Sequence, residues 1–153
     1  MNDATTTQLV IERVFDAPRE LVYRAFTDPD QLAQWFGPVG WSVPRDSVDL
    51  DVRVGGHQRF TMVNDADAAQ TSPVDGTFTA LVENELIEGA EDFLAAPDAT
   101  EKTRMTMRIE LRDTEDGRTH LVLTQGPFTA EVEGMAREGW ISSFTKLDAL
   151  LAA

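Results

Sequence analysis

Apolar and polar residues alternate along most of the chain, which is the pattern of strands with one buried face. The segment 102–111 shows it most clearly, with apolar residues on one face and polar residues on the other. Asp116-Gly117, which follows, has the composition of a tight hairpin turn. We predict antiparallel strands at residues 8–15, 57–63, 77–82, 86–93, 102–111 and 119–125, with one or two more within 41–54, interrupted near Pro44.

Three other segments follow a helical pattern. Pro18 and Pro29 each suit the first position of a helix, and Asp28 is typical of the residue that caps one. The two short helices that begin there would bury Leu21, Val22, Ala25 and Phe26 in the first and Leu32, Trp35 and Phe36 in the second. The longest segment spans residues 130–151, where one face is formed by Val132, Met135, Ala136, Trp140, Phe144, Leu147 and Leu151.

The order of these elements predicts the fold class. A strand, two short helices, a run of antiparallel strands and one long terminal helix form an α+β pattern in which a sheet curls around the last helix. At 153 residues the chain has room for one domain, and no linker divides it. We therefore predict a single domain over residues 1–153, with a disordered N-terminus at 1–7 and loops at 64–73 and 95–101.

The composition is acidic and lacks cysteine. The chain has 27 Asp and Glu against 13 Lys and Arg, a net charge of −14. Such a surface repels phosphate backbones and anionic lipids, so we expect neither a nucleic acid nor a membrane as a partner. The absence of cysteine excludes disulfides, thiolate metal sites and cysteine nucleophiles. Because the first residues lack a signal-peptide pattern and the longest uncharged run, 31–44, is too short for a membrane span, we expect a cytoplasmic protein.

Motifs for catalysis or metal binding are weak. His57 and His120 have no second ligand at metal-binding spacing, and none of the serines lies in a GxSxG motif. We therefore expect no metal ion, no cofactor and no catalytic residue. A group of acidic residues predicts a solvated edge of the sheet. If the side chain of one of them turned into the apolar interior, that carboxylate would be a candidate for proton transfer. This group consists of Glu83, Glu85, Glu88, Glu91 and Asp92.

The segment 51–56, DVRVGG, combines a charged pair with two glycines. Gly55-Gly56 predicts a tight turn, because no lysine followed by serine or threonine is present to make a phosphate-binding loop. Asp51 and Arg53 stand two residues apart, which places them on one face of a strand. They predict a surface ion pair or, alternatively, a polar contact at the rim of a cavity.

Four segments together resemble the START-like (SRPBCC) superfamily. They are residues 15–36, the DVRVGG segment followed by Phe60-Thr-Met62, Gly76-Thr-Phe78, and Gly139-Trp140 with the later leucines of the last helix. Within that superfamily, the chain is most similar to proteins that resemble the C-terminal domain of the activator of heat shock protein 90 ATPase. The resemblance extends over residues 9–151.

The resemblance implies a helix-grip fold, in which a curved antiparallel sheet holds the long C-terminal helix over a hydrophobic cavity. Apolar residues on the inner strand faces and on the last helix are then the candidates for ligand binding, although the same residue types also fill ordinary cores. Gly139, beside Trp140, favours a cavity because it removes a side chain. The candidates are Trp35, Phe60, Met62, Phe78, Met105, Met107, Trp140, Ser143 and Phe144.

Three functional hypotheses follow. The first is non-catalytic binding of a small hydrophobic or aromatic molecule in the cavity. The second is a chaperone-regulator-like module that contacts a chaperone partner through its acidic surface or the outer face of the sheet. The third is a cyclase or hydratase type of enzyme in the same cavity, which requires an inward ionisable group. The resemblance also makes a homodimer plausible.

Overall fold

An antiparallel sheet of eight strands forms the body of the protein in the computed structural model, which describes residues 6–94 and 100–152. The strands are β1 (Thr6–Phe15), β2 (Trp41–Ser42), β3 (Asp49–Leu50), β4 (His57–Asn64), β5 (Thr71–Val82), β6 (Leu86–Leu94), β7 (Lys102–Asp113) and β8 (Thr119–Thr129). Their order is β1-β8-β7-β6-β5-β4-β2, with β3 also paired to β4.

Three α-helices accompany this sheet within the described ranges. They are α1 (Arg19–Thr27), α2 (Pro29–Trp35) and α3 (Ala130–Ala152), and a short 3-10 turn (Arg45–Ser47) lies between β2 and β3. The last helix follows β8 without a loop and packs on the sheet and on α2. The predicted α+β class and helix-grip architecture are confirmed.

Several strand boundaries differ from the predictions. β1 begins at Thr6, inside the predicted disordered terminus, and β5 begins at Thr71, six residues early. Residues 71–76 pair with β4 alone, because the pairing with β6 starts only at Thr77. A strand paired on one side tolerates proline, so Pro73 does not interrupt it. The rest of the predicted terminus, residues 1–5, and most of the predicted loop, residues 95–99, lie outside the described residues.

The two short helices form as their sequences predict. The Asp28 side chain accepts a hydrogen bond from the Asp30 backbone N–H at 2.8 Å, and Pro29 is the first helical residue of α2. Val22, Ala25 and Phe26 are buried at the i, i+3, i+4 spacing of a single helical face. Leu21 lies beside that face and is 38% exposed, so its predicted burial was wrong.

The last helix buries only part of its predicted face. Trp140, Phe144 and Leu147 are buried, but Val132 and Met135 are 42% and 62% exposed. At about 100° per residue, Met135 lies about 120° around the helix from Leu147 and so points away from the sheet. Val132 lies near Leu147 in angle but in the first turn of α3, where it is exposed, so the expected burial of both residues was wrong.

Aromatic side chains link the helices to the sheet. The rings of Phe15 on β1 and Phe144 on α3 meet edge to face with their centroids 5.2 Å apart. Trp35 packs on Phe26 at 4.9 Å and donates its indole N–H to the Ala25 carbonyl oxygen at 2.8 Å. The core therefore joins β1, α1, α2 and the second half of α3 in one aromatic cluster.

The turn at residues 51–56 requires glycine at its end. A Cβ on Gly56 would lie 2.0 Å from the Asp51 carbonyl oxygen, and Gly55 has a positive φ of 86°. The turn is held to β5 because Phe78 exchanges backbone hydrogen bonds with both glycines, at 2.8 and 2.9 Å. Asp51 and Arg53 form the predicted ion pair at 2.8 Å, but they lie in this turn and not on a strand.

The substitution Gly56→Ala is predicted to destabilise the protein by about 3 kcal/mol, since the backbone must move to relieve the overlap with Asp51. The matched control is Gly134→Ala on the exposed part of α3, where a Cβ meets nothing within 4 Å. That change is expected to stabilise the protein by about 0.5–1 kcal/mol. Urea unfolding of the two variants measures both effects, and a loss below about 1 kcal/mol for Gly56→Ala would contradict the turn geometry.

Candidate functional site

A partly open cavity of about 310 Å³ lies between the concave face of the sheet and the first half of α3. Most of its wall is apolar. Phe36, directly after α2, bridges the two sides, because its ring lies 4.7 Å from that of Phe60 on β4 and 5.5 Å from that of Trp140 on α3. The other apolar lining residues include Phe26, Met62, Val74, Met105, Met107 and Ala136.

Glycines create the space. Gly76 on β5 and Gly89 on β6 line the cavity from the sheet, where backbone packing leaves little room for a side chain. A Cβ on Gly76 would lie 3.1 Å from the Ala90 carbonyl oxygen, and one on Gly89 would lie 3.2 Å from that of Thr77. On the opposite wall, a Cβ on Gly139 would meet nothing within 4 Å. At these three glycines the cavity is therefore bounded by backbone atoms and not by side chains.

Three polar contacts are built into the wall. The Trp140 indole N–H donates to Gln125 Oε1 at 2.8 Å, which fixes the orientation of the indole ring. The Ser143 hydroxyl donates to the carbonyl oxygen of Gly139, one helical turn earlier, at 2.9 Å. Glu91 Oε2 accepts a hydrogen bond from the Asp75 backbone N–H at 3.0 Å. Among the described residues, Glu91 is the only ionisable side chain on this wall.

The predicted site residues divide into two groups. Those that line the cavity are Phe60, Met62, Met105, Met107, Trp140 and Ser143. Trp35, Phe78 and Phe144 do not line it and are at most 1% exposed, so these three belong to the filled core. The Trp35 ring is covered by Phe26 and Phe36 and does not reach the cavity. Whether the lining residues bind a ligand remains a prediction.

Sequence reasoning did not select several polar lining residues. Gln58 is in phase with Phe60 and Met62 on β4, and Gln125 is in phase with Leu121 and Leu123 on β8. Both glutamines could therefore have been predicted to face inward, because each is a polar residue at a position that alternates with apolar residues of its strand. Phe36 was predicted as part of the helix face, but it caps α2 and turns toward the sheet.

The acidic group is mostly solvated, as predicted, with one exception. Glu83 and Glu85 are exposed, and Glu88 forms an ion pair with Arg108 at 2.6 Å. Asp92 lies 3.8 Å from Arg104. Glu91 alone of this group lines the cavity, because it occupies an inward position of β6 two strand positions after Gly89.

The histidines lie away from the cavity. His120 points outward on β8, where its Nε2 atom is 3.0 Å from Glu12 Oε1. His57 Nε2 lies 2.8 Å from Asp49 Oδ1. Neither histidine lines the cavity, and the described residues contain no group of three side chains suited to a metal ion. The ion pair of Asp51 and Arg53 does not border the cavity either.

Two half-buried groups outside the cavity titrate away from their ordinary values. Burial lowers the pKa of Lys146, whose ammonium donates to the Trp41 carbonyl oxygen at 2.9 Å, and nearby Asp65 opposes the shift. Burial raises the pKa of Tyr23, and the charge of Glu83 adds to this increase. No helix among the described residues has both the length and the apolar character needed to cross a membrane.

The fold is shared with several bacterial proteins of known structure. A protein of Chromobacterium violaceum is 30% identical with a TM-score of 0.82, and the match covers 95% of this chain and 97% of that one. The AHSA1 protein of Silicibacter pomeroyi is 25% identical with a TM-score of 0.76, covering 95% and 98%. A protein of Nitrosomonas europaea shares the fold at 24% identity and a TM-score of 0.77, covering 99% and 97%.

No curated protein sequence matches the chain. The family model described as activator of Hsp90 ATPase homolog 1-like protein matches residues 16–152, which is nearly the whole chain and includes every strand and helix after β1. The chain therefore belongs to the activator of Hsp90 ATPase homolog 1-like family, as the sequence resemblance predicted.

Proposed function

We propose that this protein binds a small hydrophobic or aromatic molecule, without chemical conversion, in the cavity between the sheet and α3. The observation that carries the proposal is the composition of the wall: aromatic and methionine side chains surround a space of about 310 Å³. Binding pockets for small molecules commonly have volumes of about 300–1,000 Å³ and this mixture of apolar surface with a few polar groups.

The wall is suited to an aromatic ligand in particular. Phe36 packs edge to face on both Phe60 and Trp140, and all three rings line the open space. Met62, Met105 and Met107 add flexible, polarisable side chains that adapt to the outline of a bound ring. Burial of apolar surface would contribute roughly 25 cal/mol per Å², and the fixed indole ring would reduce the entropy lost on binding.

A second candidate, protein interaction, is favoured by the exposed apolar residues of α3. Val132 and Met135 lie in the first two turns of the helix and expose 42% and 62% of their surface. Exposed apolar residues that cluster on a surface are typical of protein contact sites. The description of the family makes an Hsp90 ATPase the partner to test first. This candidate places function on the helix surface and leaves the cavity unused.

The cavity proposal predicts that Gly139→Leu blocks binding of the neutral fluorescent probe N-phenyl-1-naphthylamine. The wild-type protein is expected to bind the probe with a Kd on the order of 10 µM. A leucine at position 139 would occupy the open space beside Trp140 and should weaken binding at least tenfold. The measurement is a fluorescence titration.

Gly134→Leu is the matched control, because Gly134 lies on the same helix, has the same open surroundings and does not line the cavity. This variant should bind the probe as the wild type does. Both leucines improve helix propensity, so neither variant is expected to lose stability. Equal probe binding by Gly139→Leu and Gly134→Leu would place the probe elsewhere, and no binding by the wild type would refute the proposal.

Native mass spectrometry should detect the natural ligand on protein purified from the organism that encodes it. The expected result is an additional mass of roughly a few hundred daltons, in keeping with the cavity volume, that disappears on denaturation. Gly139→Leu purified in the same way should lack this mass, and Gly134→Leu should retain it. An additional mass that is retained by Gly139→Leu would contradict the assignment to the cavity.

The interaction candidate makes a different prediction. If α3 contacts a chaperone, the purified protein should change the ATPase rate of Hsp90, and Met135→Lys should reduce that change severalfold because it places a charge in the apolar contact. Gly139→Leu should have no effect in this assay. Steady-state ATP hydrolysis is the measurement, and a rate that does not respond to the wild-type protein would reject Hsp90 as the partner.

A further inference from the structure

Glu91 places a carboxylate on an otherwise uncharged cavity wall. Its neighbours across the sheet are Gly76 on β5, where a Cβ would lie 3.7 Å from the Glu91 Cβ, and Met105 on β7, its partner in register. Beyond Gly76 the same row continues to Gln58 on β4. Gly76 contributes no side chain to this row, and Glu91, Gly76 and Gln58 all line the cavity.

One oxygen of this carboxylate is already used in the fold. Glu91 Oε2 accepts the Asp75 backbone N–H at 3.0 Å, at the point where the pairing of β5 with β6 ends. Among the described residues Glu91 forms no ion pair, and Arg104 lies 3.8 Å from Asp92. Glu91 also borders a second, more polar pocket, which is lined by Lys102 and Arg104. The second oxygen can therefore accept a hydrogen bond from a molecule in the cavity.

The chemistry of the wall selects against anionic ligands. A carboxylate only accepts hydrogen bonds, and it repels another carboxylate. The net charge of −14 acts in the same direction over a longer range. A half-buried carboxylate beside methionine and aromatic side chains gains most from a ligand that supplies both a positive charge and a hydrogen-bond donor.

We propose that the ligand is a hydrophobic amine whose apolar part fills the cavity and whose protonated nitrogen donates to Glu91. This inference rests on the proposed ligand-binding function and specifies its substrate class. Gln58 and Gln125 border the same space and offer amide groups to any further polar atoms of the ligand. Glu91 would then recognise the ligand through a single charge-assisted hydrogen bond, and the rest of the ligand would make apolar contacts.

The test compares three molecules that share a naphthalene ring: 2-naphthylmethylamine, 2-naphthylmethanol and 2-naphthoate. Each displaces N-phenyl-1-naphthylamine from the wild-type protein at 0.15 M salt, where the long-range attraction of the acidic surface is screened. The amine should bind about tenfold more tightly than the alcohol, the gain typical of a partly exposed charge-assisted bond, and the carboxylate should bind most weakly.

The substitution Glu91→Gln then tests how much the negative charge of Glu91 contributes to amine binding. The amide oxygen of glutamine can still accept the Asp75 N–H, so the end of the β5–β6 pairing is preserved while the charge is lost. The preference for the amine over the alcohol should fall from about tenfold to within about twofold, mainly because the amine binds more weakly. The matched control is Asp92→Asn, which removes one charge from the exposed face of the same strand and should keep the preference.

The outcomes separate this inference from the function on which it rests. Equal binding of amine and alcohol to the wild type, or an unchanged preference in Glu91→Gln, overturns the amine assignment. In that case, probe binding that Gly139→Leu blocks would still support the cavity as a ligand site. If neither the probe nor any naphthalene derivative binds the wild type, both the function and the amine assignment are refuted.

Discussion

The packing of Phe144 against Phe15 determines how far the last helix stands from the sheet. Both rings are fully buried, and they meet edge to face at 5.2 Å with Trp35 packed beside Phe144. Aromatic rings hold the two layers apart at this end of α3. The first half of the helix, which carries small residues such as Ala136 and Gly139, lines the cavity opposite the sheet. The cavity is the space that those small residues leave unfilled.

Such a space has a cost in stability. A fully enclosed apolar cavity lowers stability by about 24 cal/mol per Å³, and an opening to solvent reduces that cost without removing it. The wall contains positions at which a larger side chain would fit, Gly139 above all, where a Cβ meets nothing within 4 Å. A sequence shaped only for stability would fill the space with a leucine at this position. The glycine at position 139 therefore leaves open a space that a larger side chain would occupy.

The sequence predicted the elements well because their signals are local. The alternation of apolar and polar residues, the Asp28-Pro29 cap and the Asp116-Gly117 turn each depend on a few adjacent residues. The strands and helices lie at the positions that these patterns predicted. Depth within the structure is not a local property. Phe78 and Phe60 are both phenylalanines at inward-facing strand positions. Phe78 nevertheless lies in the filled core, whereas Phe60 lines the cavity. That difference depends on how residues of α2 and α3 pack over each strand. The alternation of residues within a strand does not predict this packing.

The inward position of Glu91 shows the same limit for a charged residue. Four other acidic residues lie within 83–92, so composition alone indicates a solvated edge, and Glu83 and Glu85 fit that description. Strand phase distinguishes Glu91, since it follows Ile87 and Gly89 at alternate positions and Ile87 is 2% exposed. A bulge between Phe78 and Ala80 in the neighbouring strand shifts the phase of β5 relative to β6, so the apolar stripe of one strand does not predict that of the next. In the proposed function, the apolar wall would supply affinity for many hydrophobic molecules. A single carboxylate in that wall would distinguish among them, because a ligand without a donor leaves its second oxygen without a partner.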